Sequence, residues 1–375
     1  MKFLSVIALV LFAFQSLSQD TLPQIPVKKN PFRFIEALKQ TRFVKPVKFE
    51  FISLSAVGDM MLGTNFPNES HLPPKNVKLL EPMYPYLQNH DIIFGNLEGT
   101  VLNEGGELKS CGDPTKCYAF RQPEYFVEQY KEAGFNFLSI ANNHLGDFGE
   151  TGRANTVNLL KKNNFVFAGL ERTPWDTLTV KEKIIGFIAF APNTQCLQIA
   201  DLKNVSARIK ELDKIADIIV VSFHGGAEGS SHSHITKSTE IFYGENRGNV
   251  HRFARVAIDA GADVILGHGP HVSRAIDIYK DRFITYSMGN FCTYSRFNLS
   301  GVSGIAPLYQ LKLDMEGRFI EGNLVSIKQM GEGGPVIDES SRAYKEIEKL
   351  TKEDLPEAPI QFLGDGKICP KKKLH

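Results

Sequence analysis

The sequence contains a set of side chains that could bind metal ions, and most of them follow a short apolar run. The set combines carboxylates, a carboxamide and imidazoles, and its members are Asp59, Glu98, Asn143, His224, His268 and His271. Such mixed oxygen and nitrogen donors suit Mn, Fe or Zn, whereas Ca prefers a shell of oxygen alone. Two divalent ions held close together can clamp the attacking and leaving oxygens of a hydrolytic reaction, and a shared carboxylate limits their repulsion. The pattern therefore predicts two divalent metal ions, with Glu98 as the bridging ligand.

One further histidine, His144, is predicted to take part in proton transfer. It directly follows Asn143, so it lies beside the reacting group if Asn143 binds metal. A histidine at that place can donate a proton to a leaving group as a general acid. Asp147 comes three residues later, and it either orients His144 or caps the helix that follows.

Polar residues near these motifs are candidates for contacts with the ligands or with a substrate. They are Asn96, Asn142, Asp147, Glu228, Arg247 and Asn290. A side chain that hydrogen-bonds a metal ligand fixes the orientation of that ligand, and the planar fork of Arg247 suits a carboxylate or a phosphate. Residues 229–248 are polar and could overhang the site as a lid, although His232 and His234 within them are interpreted as solvated.

The elements that must position these residues can be read from the same sequence. From Phe51 onward, β-branched or aromatic runs alternate with helical patterns, which is typical of an α/β protein. Predicted strands cover residues 51–57, 91–94, 135–140, 184–190, 218–223 and 263–266, and predicted helices cover 123–133, 150–163, 200–213 and 248–260. Two more strands are predicted within 307–327. Because the carboxyl ends of parallel strands line a ligand crevice, the candidate ligands are expected at one edge of the sheet.

The motifs, taken together, resemble those of the CapA family, which is linked to poly-gamma-glutamate capsule synthesis and related to calcineurin-like metallophosphatases. The matching segments are Gly58-Asp59-Met60-Met61, Asn96-Leu97-Glu98, Ala141-Asn142-Asn143-His144, Gly267-His268-Gly269-Pro270-His271 and Tyr286-Ser287-Met288-Gly289-Asn290-Phe291. The resemblance covers roughly residues 51–300. It implies a four-layer α-β-β-α sandwich, in which helices lie outside two packed sheets. It also implies the ligand assignment given above.

The sequence departs from the family pattern at two places. Many metallophosphatases open with Asp-x-His, but position 61 here is Met, so one nitrogen ligand is missing. Many relatives read His-Trp-Gly-x-Glu-Tyr at the later histidine, whereas His224 is followed by Gly225-Gly226-Ala227-Glu228-Gly229. The first departure weakens one metal site, and the second removes aromatic side chains from the wall of the pocket.

The termini and cysteines indicate an exported protein. Lys2 precedes an apolar run and a small-residue end, which is the order of a secretory signal. We expect a signal peptide at 1–18, an extension at 19–49, the main domain at 50–330 and a C-terminal extension at 331–375. Cys111 and Cys117 bracket a short turn that a disulfide could close. The mature chain is expected to be periplasmic or secreted, without a lipid anchor or a transmembrane helix.

The charge balance and the resemblance limit the classes of partner. With 43 basic and 42 acidic residues the formal net charge is +1, so a nucleic acid is not an expected partner. The resemblance implies an anionic polymer and the envelope machinery that makes or exports it. Three functions remain open: metal-assisted hydrolysis or transfer on such a polymer, a metal-dependent phosphoesterase acting on small phosphoesters, and a non-catalytic polymer-binding or export assembly module.

Overall fold

The computed structural model describes residues 50–110 and 118–371. The predicted signal peptide, the N-terminal extension and the Cys111–Cys117 disulfide lie outside these residues. The described strands are, in chain order, β1 (Ile52–Met61), β2 (Ile92–Leu97), β3 (Thr100–Val101), β4 (Arg121–Gln122), β5 (Phe137–Ser139), β6 (Val166–Ala168), β7 (Trp175–Val180), β8 (Lys183–Ala191), β9 (Leu197–Gln198), β10 (Ile218–His224), β11 (Ile241–Phe242), β12 (Glu245–Asn246), β13 (Val264–His268), β14 (Ile276–Tyr279), β15 (Arg282–Thr285), β16 (Asn290–Thr293), β17 (Ile305–Leu313), β18 (Phe319–Gln329), β19 (Pro335–Ile337), β20 (Ile360–Gly364) and β21 (Lys367–Pro370).

The described helices are α1 (Tyr84–Leu87), α2 (Phe126–Glu132), α3 (Gly149–Lys162), α4 (Leu202–Leu212), α5 (Val250–Asp259) and α6 (Arg342–Asp354). Short 3₁₀ turns occur at Glu69–His71, Glu81–Met83, Ser230–His232 and Gly301–Gly304. Helix α5 illustrates how the sequence determines where a helix begins and which of its faces is buried. The side chain of Asn249 caps it by accepting a hydrogen bond from the backbone of Arg252, and its buried residues recur at helical spacing. Within 50–110 and 118–371, no helix is long and apolar enough to cross a bilayer.

The strands form two large sheets. The larger has the order β20-β21-β18-β17-β1-β2-β5-β6, with β16 paired to β1 and β19 to β18. The smaller has the order β14-β15-β13-β10-β8-β7, with β9 paired to β8. Strands β1, β2, β5 and β6 are parallel to one another, as are β8, β10, β13 and β15. The strands β17, β7 and β14 pair antiparallel with β1, β8 and β15. Strands β10 and β13 are buried along their whole length, as their continuous apolar runs predict.

The two sheets pack face to face through aromatic side chains. Phe187 of β8 contacts Phe94 of β2 and Phe137 of β5, with ring centroids 5.8 and 5.6 Å apart. Burial of one such side chain stabilises the fold by about 1.5–3 kcal/mol. Helices α2 and α3 pack on the outer face of the larger sheet. Helix α5 covers the smaller sheet, where Phe253 contacts Phe190 and Phe223. The four-layer α-β-β-α sandwich that the resemblance implied is confirmed.

The C-terminal residues add more structure than the sequence predicted. Residues 342–354 form α6, and its buried residues include Tyr344 and Ile347. In addition, β19 and β21 both pair with β18 of the larger sheet. The alternation of polar and apolar residues in such short strands is too brief to predict from sequence.

Candidate functional site

The candidate ligand Asp59 lies inside β1 instead of after it, because the strand runs on to Met61. The register of pairing with β2 and with β16 shifts at Asp59. The preceding residue, Gly58, allows a close approach: a Cβ there would lie 2.0 Å from the carbonyl oxygen of Gly289. The backbone N–H of Asp59 donates to that same carbonyl at 2.9 Å. The glycine therefore lets the chain hold Asp59 against the turn before β16.

The other candidate ligands come from both sheets, which corrects the expectation that they share the edge of one sheet. Glu98 follows β2, and Asn143 follows β5 of the larger sheet. His224 and His268 are the last residues of β10 and β13 in the smaller sheet, where they are paired in register. His271 follows in the next turn at a φ of 59°. Left-handed backbone of this kind at a non-glycine residue is costly, and it is concentrated at functional sites.

These ligands form two clusters that share Asp59. One cluster joins Asp59, His224 and His268, and the other joins Asp59, Glu98 and His271. Within each cluster, one donor atom per residue lies within 4.8 Å of the others. The Oδ2 atom of Asp59 is 2.9 Å from Nδ1 of His271, and its Oδ1 atom is 3.8 Å from Nδ1 of His268. The residue common to both clusters is therefore Asp59, whereas Glu98 belongs to one of them.

Unsatisfied buried atoms at this place test whether a cation fits. Both carboxylate oxygens of Glu98, Oδ1 of Asn143 and Nε2 of His224 are buried and have no hydrogen-bond partner among residues 50–110 and 118–371. A buried polar atom without a partner costs about 1–3 kcal/mol. All of these atoms can be ligands of divalent transition metals. Because Glu98 and His224 belong to different clusters, more than one bound cation would be needed to satisfy them, and the residues fit the two predicted metal ions.

The negative charges of Glu98 and its neighbour Asp59 also favour binding of a cation at this place. Burial and the nearby charge of Asp59 raise the pKa of Glu98 well above its ordinary value. Burial opposes the protonation of His271, but the carboxylates of Glu98 and Asp59 outweigh it and raise the pKa of His271 to about 10. Burial also works against ionisation of Asp59, yet the hydrogen bond and charge of His271 lower the pKa of that carboxyl. Protonated His271 thus supplies a positive charge beside the carboxylates of Asp59 and Glu98, where a bound cation would supply one.

The two histidines of the smaller sheet, His224 and His268, are in the neutral state that can bind a metal ion. Burial lowers the pKa of His268 to about 4 and that of His224 well below its ordinary value. Both imidazoles are therefore neutral at pH 7, and a neutral ring nitrogen is the one that binds a cation. Nε2 of His268 is 2.8 Å from the hydroxyl of Ser222, and its Nδ1 is 3.0 Å from Nδ1 of His224.

Three asparagines predicted to support the ligands lie in contact with them or with each other. Asn96 donates to Oδ1 of Asp59 at 2.8 Å, and Asn142 donates to Oδ1 of Asn96 at 3.1 Å. Oδ1 of Asn290 lies 3.1 Å from Nδ1 of His271. Such contacts fix the orientation of the groups that they touch.

His144 lies next to the cluster and pairs with Asp147. Its Nδ1 is 2.8 Å from Oδ2 of Asp147, and its Nε2 is 3.9 Å from Oε1 of Glu98. The Asp147 carboxylate also accepts from the backbone of Phe120 at 2.7 Å and pairs with Lys109 at 2.5 Å. Helix α3 begins after Phe148 and has no side-chain cap. Of the two alternatives for Asp147, the contact with His144 is the one present.

The environment of His144 keeps its ring neutral and fixed. Burial lowers the pKa of His144, although the charge of Asp147 opposes that effect. The ring packs against Phe120 at a centroid distance of 4.2 Å, and Phe120 stacks on Phe297 at 5.0 Å. These aromatic residues were not predicted, because they lie on separate loops and no local pattern marks them.

Arg247 lines the site as expected from the sequence, but its guanidinium also makes contacts within the protein, so its contact with a substrate anion stays a prediction. It is 2% exposed, and its guanidinium is held by protein groups on three sides. Nη1 pairs with Glu245 at 2.9 Å, Nη2 with Glu228 at 3.0 Å, and Nε donates to the carbonyl of Gly226 at 3.2 Å. The charge of Arg247 is therefore compensated within the protein. Among the described residues, the basic side chains beside the site also include Lys109 and Arg296.

A cavity of about 590 Å³, called here the main cavity, opens onto these residues. Its lining includes Asn143, His144, His271, Glu228, Arg247, Lys109, Tyr118, Phe120, Phe242, Tyr243, Arg296 and Phe297. Part of the predicted lid, from Phe242 to Arg247, contributes to this wall. His232 and His234 do not: His232 bonds the carbonyl of Glu228, and His234 pairs with Asp354. A groove of about 660 Å³ elsewhere is lined by none of the candidate ligands.

Comparison with known proteins gives the same family as the motifs. Residues 53–295 match the family described as "Bacterial capsule synthesis protein PGA_cap", which is more than half of the chain. The chain belongs to this family. Among similar proteins, "Capsule biosynthesis protein CapA" of Bacillus anthracis is 27% identical over 84% of this chain and 78% of the relative. "PGA biosynthesis protein CapA" of Bacillus subtilis (strain 168) is 28% identical over 86% of this chain and 84% of the relative.

A solved structure from outside these capsule proteins is similar at a greater distance. The purple acid phosphatase PPD1 from yellow lupin (Lupinus luteus) seeds is 11% identical, with a TM-score of 0.39. The similarity covers 80% of this chain and 55% of the phosphatase.

Proposed function

We propose that this PGA_cap protein acts outside the cytoplasm in the synthesis, processing or anchoring of an anionic envelope polymer such as poly-gamma-glutamate. It does so by metal-assisted hydrolysis or transfer at the centre around Asp59. The observation that carries the proposal is the set of buried, unsatisfied donor atoms on Glu98, Asn143 and His224, beside the His144–Asp147 pair. A purely structural polar core would satisfy these atoms internally.

Each residue of the centre has a role that follows from its contacts. The ligands are Asp59, Glu98, Asn143, His224, His268 and His271, with Asn96 and Asn290 fixing their orientation. Bound divalent ions would supply Lewis acidity and would lower the pKa of a water molecule. In the resting protein the neutral His144 ring carries its hydrogen on Nδ1, which donates to Asp147. The ring takes up a second proton from solvent at Nε2, is stabilised in that charged form by the Asp147 carboxylate, and delivers the Nε2 proton to the leaving atom.

Two observations support an anionic polymer as the substrate. Two relatives that match most of the chain bear names that refer to capsule or PGA biosynthesis. In addition, the main cavity is lined by the basic side chains of Lys109 and Arg296. We extend the proposal to export: residues 1–18 are removed as a signal peptide, and the mature chain works in the periplasm or outside the cell.

The test begins with the metal. The mature chain, from residue 19, is purified without chelators, and its Mn, Fe and Zn contents are measured by elemental analysis. The loaded protein is then incubated separately with poly-gamma-glutamate and with 4-nitrophenyl phosphate. Asp59→Ala and His144→Ala are compared with His234→Ala, a matched control whose histidine also pairs with an aspartate but is exposed on the surface.

The outcomes separate the three functions. Cleavage of the polymer that Asp59→Ala and His144→Ala abolish, and that His234→Ala leaves intact, supports the proposal. Release of phosphate in that same pattern, with the polymer untouched, identifies a phosphoesterase instead. A protein that holds no transition metal, and whose role in cells survives His144→Ala, is a non-catalytic polymer-binding module.

A further inference from the structure

The main cavity adjoins a second cavity, called here the side cavity, of about 330 Å³. Both are lined by Lys109, Asn143 and Glu245, whereas the rest of their linings differs. Asn143 is a candidate metal ligand, so both cavities reach the proposed metal centre. A site for a small substrate needs one such space beside the reacting atoms. Two spaces that both reach the centre suit a longer molecule.

The side cavity contains polar groups that are suited to a ligand. Oδ1 of Asn193 is buried and has no hydrogen-bond partner in the part of the chain that the structure describes. The Nδ2 group of Asn193 is held by Glu245 at 3.0 Å, which fixes the direction of that amide. Arg153 of α3 also lines the cavity, with a side chain that is 15% exposed. Its Nε donates to Glu150 at 3.1 Å, which leaves the terminal nitrogens for a further acceptor.

The main cavity has its own cation in a comparable position. Arg296 lies over the ring of Tyr118, 5.1 Å from its centroid, at the side of the cavity formed by Phe297. Within the described ranges, no carboxylate pairs with Arg296. An arginine that stacks on an aromatic ring keeps its planar fork available for a carboxylate. Besides Arg247, which is held by Glu228 and Glu245, the main cavity has Arg296, the side cavity has Arg153, and Lys109 lines both cavities.

We propose that the side cavity is a second substrate-binding site, so that a chain of carboxylate-bearing repeat units lies across the metal centre and reacts at an internal bond. This proposal rests on the proposed function. Arg296 binds a carboxylate on one side of the reacting bond, and Arg153 binds one on the other side. Asn193 accepts a hydrogen bond from a backbone amide of the polymer. Hydrolysis of an internal amide consumes one water molecule and produces one fragment with a new carboxyl end and one with a new amine end.

Binding is measured first, because it does not depend on turnover. Oligomers of gamma-linked glutamate, from dimer to decamer, are titrated into His144→Ala protein by calorimetry. We expect the affinity to rise with length until both cavities are filled. Arg153→Gln and Arg296→Gln, each in that background, should weaken binding of the long oligomers by about tenfold, as expected for a lost contact between charged groups. Arg172→Gln is the matched control, since Arg172 also pairs with Glu150 but is not among the cavity residues.

The size of the products gives a second, independent result. With the loaded wild-type protein, early samples should contain fragments of many lengths, as internal cleavage requires. Affinity that is independent of length, Arg153→Gln behaving like Arg172→Gln, or release of single units from one end would each overturn the inference. Length-dependent binding through both arginines without any cleavage would support the second binding site, but it would overturn both the reaction at an internal bond and the proposed enzymatic function.

Discussion

Asp147 accepts a hydrogen bond from Nδ1 of His144 at 2.8 Å, and this contact leaves Nε2 of the same ring facing Glu98. A carboxylate can only accept, so it selects the ring form with the hydrogen on Nδ1. Phe120 and Lys109 hold the carboxylate in turn. The orientation of the proposed acid is thus fixed by residues from three separate segments.

Replacement of Asp147 by Asn should remove this selection, because the amide can donate to Nδ1 and so favour the wrong ring form. We expect Asp147→Asn to lower the turnover rate by about 10²-fold or more while the metal content is unchanged. The measurement is the rate of polymer cleavage at saturating substrate, together with elemental analysis. Asp354→Asn is the control, since Asp354 makes the same type of contact with the surface residue His234 at 2.7 Å. Equal rates in the two variants would contradict a role for Asp147.

The metal stoichiometry should show which carboxylate is shared. Asp59 belongs to both clusters, so Asp59→Asn is expected to lose both ions. If Glu98 is the bridge that the sequence predicted, Glu98→Gln should also lose both. If Asp59 is the only shared carboxylate, Glu98→Gln should keep the ion held by His224 and His268. Elemental analysis of each purified variant gives the number of ions per chain, and a normal circular dichroism spectrum controls for folding.

Metal binding at neutral pH should release protons. The carboxylates around His271 raise its pKa to about 10, compared with about 6.5 in an unfolded chain, so its proton is present at pH 7. A cation that binds His271 must displace that proton, and affinity should therefore rise as the pH increases from 7 towards 10. Calorimetry in buffers of different ionisation enthalpy measures the number of protons released. His271→Gln should release about one proton fewer.

Stability of the metal-free protein should depend on pH in the same range. A group whose pKa is raised on folding stabilises the fold below its unfolded pKa, and the effect is lost as the pH rises through its folded pKa. For His271 that loss falls between about 6.5 and 10. The midpoint of urea unfolding should therefore decline over this range in the wild type and change less in His271→Gln. A midpoint with the same pH dependence in both proteins would contradict the interaction of His271 with the two carboxylates.

The close approach at Gly58 should make any side chain there costly. A Cβ at this residue would lie 2.0 Å from the carbonyl oxygen of Gly289, and backbone cannot move away as a flexible side chain can. Gly58→Ala should lower the free energy of unfolding by about 1–3 kcal/mol or more and should displace Asp59. Gly146→Ala is the control, because its Cβ would come no nearer than 3.5 Å to the end of the Arg153 side chain. Urea unfolding and metal content are measured on both.

Much of the architecture was predictable because it depends on local pattern. The apolar runs that became β10 and β13 are continuous, and a strand covered on both faces requires such a run. The spacing of Phe253, Ala254 and Ala257 similarly predicted α5. The strands near the C-terminus were missed, because β19 and β21 are short and their pairing with β18 depends on residues distant in sequence.

By itself, the sequence determined which chemical groups the site can use. The order and types of residues in its motifs predicted carboxylate, carboxamide and imidazole donors and a histidine beside them, since these are properties of the residues and their neighbours. Only the tertiary structure decided the contacts between distant residues: Asp59 meets His271 across 212 positions, and Arg247 is neutralised by Glu228 and Glu245. The physical reason is that such contacts depend on how two sheets pack and where loops end, and no local pattern contains that information.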